Sequence, residues 1–170
     1  MDRIKALVVC PGRGTYNKTE LGYLQRYHRD KSHFLQQLDQ YRSKYSQTSI
    51  TQLDSAASYS LSKHTRGDNA SALVYACAYA DFLSINTDKF DVVAVTGNSL
   101  GLYIALGCAG ALNQGNAMHV VNTMGTLMHQ HLIGGQLIYP LLDDNWQKIE
   151  GRYEMLLGAL KRVNDTAQCE

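Results

Sequence analysis

The feature that most constrains this chain is a serine bracketed by glycines, Gly97-Asn98-Ser99-Leu100-Gly101, at the junction of two unlike apolar runs. Before it, Asp91 to Thr96 is short and valine-rich and reads as a buried strand. After it comes a run rich in small residues, Ala105, Gly107, Ala109 and Gly110 among them, which reads as a helix able to lie close on a sheet and reaching about Ala111. A strand that gives way to a helix within five residues needs a sharp turn. Glycines on both sides of that turn let the chain close where a side chain would collide. Taken alone, the pentapeptide also suits an ordinary strand-turn-helix with a capping serine.

A second strand-and-turn unit opens the chain. Ile4 to Cys10 is a continuous apolar run, and Pro11-Gly12-Arg13-Gly14 ends it in a tight turn. Between Glu20 and Tyr45, Leu21, Leu24 and Tyr27, then Phe34, Leu35, Leu38 and Tyr41, recur at helical spacing, as one long or two shorter amphipathic helices. Ser46 to Gly67 is polar and rich in Ser and Thr, and reads as loop with short helices. Asp68-Asn69 caps a helix expected from about Ser71 to Ile85. Asn113 or Asn116 caps another that reaches about His131. Gly134-Gly135 breaks it, Gln136 to Leu142 reads as a third strand, and Asp143-Asp144 caps a final helix through about Leu160. Strands alternating with helices predict an α/β fold with a mainly parallel sheet.

Composition narrows the function. The chain has 170 residues, enough for one core-forming domain, with 45% hydrophobic and 18% charged residues and a formal net charge of +1. That balance supplies no bulk field for nucleic acid or an acidic membrane, so neither is expected as a partner. No apolar stretch approaches the ~20 residues that span a bilayer, and the start lacks a signal peptide's apolar region, which predicts a cytoplasmic protein. Cys10, Cys77, Cys108 and Cys169 are widely spaced with no C-x-x-C pair, and the three in apolar, small-residue runs read as buried free thiols. No cluster of Cys, His, Asp or Glu has metal-ligand spacing, so no metal is expected. Pro11-Gly12-Arg13-Gly14 lacks the Gly-Lys-Ser/Thr ending of a phosphate-binding P-loop. Arg66-Gly67-Asp68 reads as a turn before a helix.

The bracketed serine fits G-x-S-x-G, the nucleophile elbow, in which Ser99 is pushed out of the sheet on a strained turn. The following helix aims its first amides and the positive end of its dipole at that hydroxyl. The Leu100 N–H is then one donor to a developing oxyanion.

The likeness extends well beyond five residues. Gly97 to Leu106, followed by Ala109-Gly110-Ala111-Leu112, resembles the G-H-S-L-G-E-Y-x-A-L…A-G-A-L block of malonyl-CoA:acyl-carrier-protein transacylases and polyketide acyltransferase domains. Pro11-Gly12-Arg13-Gly14-Thr15 is similar to that family's P-G-Q-G-S, and Gly125-Thr126-Leu127-Met128 to the end of its R-G-x-L-M helix. Gly135 to Leu142 with Asp143-Asp144 looks like the strand that opens the family's small ferredoxin-like subdomain. The resemblance implies an α/β-hydrolase-like core over residues 1–133 and the beginning of that subdomain over 134–170. It implies Ser99 as nucleophile, Leu100 and Arg13 as backbone oxyanion donors, Gly97 and Gly101 as elbow glycines, and Asn98 and Met124 at the acyl pocket. Coenzyme A thioester is the implied substrate, an acyl carrier protein the implied partner, and no cofactor is bound permanently. The chemistry would serve fatty acid or polyketide biosynthesis.

Three departures modify that expectation. Asn98 replaces the histidine beside the serine. Met124 falls where the family has the arginine that pairs with the malonyl carboxylate, so an uncharged acyl group such as acetyl or a longer chain is expected. The family's catalytic histidine would lie beyond Glu170, and His28, His33, His64, His119, His129 and His131 match none of its motifs. The chain is therefore expected to be completed by the remainder of a longer polypeptide or by another chain, or else to be inactive. Beside acyl transfer, the sequence leaves open a carrier-protein acyl hydrolase and an inactive docking subunit.

Overall fold

In the computed structural model, which describes residues 3–131 and 139–167, the two apolar runs pair directly with each other. Strands β1 (Ile4–Cys10) and β2 (Phe90–Gly97) form a two-stranded parallel sheet, registered from Ile4 opposite Phe90 to Cys10 opposite Gly97. A bulge after Ala6 leaves Val93 as the extra residue on β2. Val8 and Val95 pack towards the core, while Leu7 and Val9 on the alternate face of β1 are exposed. The fold is mixed α/β. A parallel pair needs a long crossover, and the residues between the strands supply it.

That crossover is helical. Residues 20–45, expected as one long or two shorter amphipathic helices, form the two-helix alternative, α1 (Tyr23–Tyr27) and α2 (Ser32–Ser43) joined by a 3-10 turn (Arg29–Lys31), with α3 (Ile50–Asp54) and α4 (Leu61–His64) following in the polar stretch. Helix α5 (Gly67–Leu83) is the centre of the core. Its side chains are apolar nearly all round, and Ala72, Leu73, Tyr75, Ala76 and Ala80 are fully buried. After β2 come α6 (Leu100–Cys108) and α7 (Gln114–Gln130). Asn113 caps α7, its Oδ1 accepting from the Asn116 amide at 2.8 Å.

The start of α5 corrects the expected helix from Ser71 with an Asp68-Asn69 cap. The helix begins at Gly67 with Arg66 as the N-cap residue, so Asp68 and Asn69 lie inside its first turn, where Asp68 Oδ1 accepts from the Asn69 amide at 3.0 Å. Asp68 accepts from Arg66 Nε at 2.9 Å and Nη2 at 2.6 Å. Asn69 accepts from Arg42 Nη2 at 2.7 Å and donates to the Lys63 carbonyl at 2.9 Å. Arg42 is itself fully buried and also donates to the Thr48 and Asp68 carbonyls and to Asn122 Oδ1. This one guanidinium ties α2 to α5 and α7. Those last two helices cross so tightly that a methyl group on Gly67 would lie 2.7 Å from the Gly125 carbonyl oxygen.

The chain divides into two compact units, Met1–Leu132 and Ile133–Glu170. In the second, the expected strand Gln136 to Leu142 lies partly outside the described residues, and its described part, 139–142, forms a single antiparallel bridge from Leu142 to Lys148. Asp143 does not cap a helix. Its carboxylate closes the turn, accepting from the amides of Asn145 and Gln147 at 2.9 Å each. Helix α8 (Arg152–Ala167) starts later than expected, after Gly151 at φ 74°, a left-handed value that ends the preceding turn. No helix among the described residues is long and apolar enough to cross a membrane.

Candidate functional site

Parallel pairing sets Cys10 opposite Gly97, so the turns that follow the two strands emerge side by side. The carboxyl ends of parallel strands are where open α/β sheets place their ligand sites. A methyl group on Gly12 would lie 3.5 Å from the Asn98 carbonyl oxygen and 4.0 Å from Ser99 Cβ, which is ordinary contact. The two glycine turns of the sequence thus form one structure.

Ser99 occupies the sharp corner between β2 and α6 at φ 53° and ψ −118°. A residue with a side chain rarely adopts positive φ, and holding one there costs about 1–3 kcal/mol. The side chain makes no capping bond to the helix, so the reading of Ser99 as an ordinary N-cap does not describe this turn. Its residue is exposed, and among the described residues its hydroxyl has no hydrogen-bond partner.

The flanking glycines are sterically required. A methyl on Gly97 would sit 2.2 Å from the Gly101 carbonyl carbon and oxygen, and one on Gly101 would sit 2.2 Å from the Cys10 carbonyl oxygen. Backbone atoms cannot yield as a flexible side chain would, so the elbow holds its shape only with glycine at both places.

The amides beside Ser99 are arranged as donors. The Gly101 amide donates to the Asn98 carbonyl at 2.8 Å and the Leu102 amide to the Ser99 carbonyl at 3.1 Å. Among the described residues the Leu100 N–H, first in α6, has no backbone acceptor. Arg13 begins a short 3-10 turn (Arg13–Thr15) directly after Gly12, and among the described residues its N–H likewise has no backbone acceptor. Ser99, Leu100, Gly97, Gly101, Asn98 and Arg13 are therefore gathered at one edge of the sheet. Met124 is half-buried on α7, one turn before Met128, and no hydrogen bond among the described residues joins it to Ser99.

Two features of the site escaped the sequence reading. One is the Arg13 side chain, whose Nη1 donates to Met128 Sδ at 3.9 Å. The other is the Gly67–Gly125 crossing that carries this part of α7 towards Arg13, with a methyl on Gly67 only 3.3 Å from Arg13 Nη1. Gly125 inside a helical pattern was the available signal, because such a glycine usually marks a close approach.

Other reactive groups nearby are quiet. Cys10 at the end of β1 lies with its sulfur 3.9 Å from that of Cys108. Burial pushes the Cys10 thiol up, and burial with the neighbouring Cys10 pushes Cys108 up to about 12. Neither carries appreciable thiolate at neutral pH to compete with the serine. His28 is bonded to Asp81 at 2.8 Å, His64 to the Leu53 and Ser60 backbones at 3.0 Å, and His119 to the Tyr41 hydroxyl at 2.7 Å. Among the described residues no histidine is hydrogen-bonded to Ser99, and no group of three or more His, Cys, Asp or Glu is placed to hold a metal ion.

No family model and no curated protein matches the chain.

Proposed function

We propose that the chain is an acyltransferase with an α/β-hydrolase-like core that moves an acyl group from a coenzyme A thioester to the thiol of an acyl carrier protein through an ester on Ser99. The observation that carries this reading is the strained, exposed Ser99 at φ 53°, locked by glycines whose replacement would meet backbone at 2.2 Å. Strain of this kind persists where the surrounding structure over-determines it and is concentrated at functional corners.

Ser99 Oγ attacks the thioester carbonyl as its proton passes to a base, and the carbonyl oxygen becomes an oxyanion facing the free amides of Leu100 and Arg13. Collapse breaks the C–S bond, and the departing thiolate takes up a proton. The carrier's thiol then attacks the seryl ester, forms a new thioester and returns the proton to Ser99. None of the six histidines is assigned the base role.

Solvent exposure of Ser99 favours one second reading. Water in place of the carrier thiol would hydrolyse the same ester and make the protein an acyl hydrolase of carrier-bound chains. Both readings share the first half-reaction, which is the step to test. Incubation with acetyl-, malonyl- and hexanoyl-coenzyme A should add the acyl mass to the peptide containing Ser99, and Ser99→Ala should abolish it. Acylation at another residue, or at none with any donor, would sink both readings.

A further inference from the structure

Arg13 carries a guanidinium that the elbow itself does not use. Its backbone follows Gly12, which faces Asn98 and Ser99, while its side chain runs to α7. There Nη1 meets a thioether sulfur, Met128 Sδ, at 3.9 Å. A thioether is a weak acceptor, and guanidinium has five donors in a planar fork, so most of them are unmatched among the described residues. Among the described residues no ion pair includes Arg13. Asp68, beside Gly67 in sequence, is held by Arg66 at 2.6 Å instead. Arg13 is nevertheless half-buried, and a half-buried fork without a counterion suits a carboxylate or a phosphate that arrives with the substrate.

The place it reaches matters. Met128 lies one turn beyond Met124, and residues four apart share a helix face. A cation is therefore supplied to the face where Met124 puts a thioether, but from the first glycine turn rather than from the helix. An uncharged acyl group suits Met124 by itself, whereas the Arg13 side chain adds a cation to that face.

We infer that Arg13 is a specificity-determining residue of the Ser99 site and binds an anionic oxygen group of the thioester, either a carboxylate ending the acyl chain or a phosphate of the thiol carrier. The inference rests on the acyl-enzyme reading. Its test measures the rate of Ser99 acylation by peptide mass in the full chain and in Arg13→Gln, with four donors: acetyl and malonyl groups, each on coenzyme A and on phosphate-free N-acetylcysteamine. A loss of tenfold or more confined to the two malonyl donors supports a carboxylate, tenfold corresponding to ~1.4 kcal/mol of differential binding. The same loss confined to the two coenzyme A donors supports a phosphate. Equal rates in both proteins, or an equal loss with all four donors, overturns the inference while leaving Ser99 as nucleophile. No acylation by any donor overturns both. Arg13→Lys keeps the charge without the fork and should fall between the two proteins. It also provides the comparison should Arg13→Gln fail to fold, which a thermal melt would reveal.

Discussion

The Gly101 α-carbon packs against the Cys10 carbonyl so closely that a methyl group in place of its hydrogen would lie 2.2 Å from that oxygen. This contact fastens the start of α6 to the end of β1. Gly101→Ala must push the helix off the strand, so it should cost about 3 kcal/mol, the upper end of the usual overpacking range. Gly110→Ala is the control, since among the described residues nothing lies within 4 Å and its φ of 73° is what opposes the change; about 1 kcal/mol is expected there. Urea denaturation of the two variants checks the order, and a smaller loss for Gly101→Ala would show that the elbow is looser than described.

Ser99 is where the proposed activity and the stability of the fold should oppose each other. Glycine accepts a φ of 53° without strain, so Ser99→Gly should stabilise the fold by about 1 kcal/mol while removing the hydroxyl proposed as the nucleophile. Ser99→Ala keeps the strained geometry and should leave stability nearly unchanged. Denaturation midpoints of the three proteins decide this. A destabilised Ser99→Gly would mean that the hydroxyl supports the fold.

Arg42 should be the most costly polar residue to remove. It donates to Thr48 O at 2.6 Å, to Asp68 O and Asn122 Oδ1 at 2.9 Å each, and to Asn69 Oδ1 at 2.7 Å. Arg42→Met fills much of the volume but leaves those acceptors unpaired inside the protein, a loss of about 3 kcal/mol or more. The check is urea unfolding followed by circular dichroism. A change below about 1 kcal/mol would show that water replaces the guanidinium.

Asp68 links the same network to pH. Burial pushes its carboxyl up, but the hydrogen bonds and charge of Arg66, with Arg42 behind, outweigh burial and hold it below the ordinary value. A folded-state pKa below the unfolded one gives stability that is complete above the unfolded pKa and is lost as pH falls through the folded one. Stability should therefore drop as pH falls below about 4, and Asp68→Asn should flatten that limb. Denaturant midpoints between pH 2 and pH 7 give the two slopes, and identical slopes would refute the assignment.

The two strands, the serine corner between glycines, an asparagine cap at 113 or 116 and the helices around residues 67–83 and 114–130 were legible because each depends on local chemistry. Periodicity, a capping side chain and glycine's freedom act over a few residues, and the residues that carry them are adjacent in the chain. What only the tertiary structure decided involves residues far apart. Pairing of β1 with β2 brings Gly12 to Ser99 across most of the domain, and the helix starts ahead of Asp68 and Asn69, whose side chains bind Arg66 and the buried Arg42. Asp143 looked like a cap and became a turn, since an Asp side chain satisfies either set of amides and only the path of the following chain chooses between them. The Arg13 side chain is the clearest case. Its sequence context places its backbone at the elbow, but where a long flexible cation ends depends on which acceptors the fold brings within reach, and here that was Met128, 115 residues away.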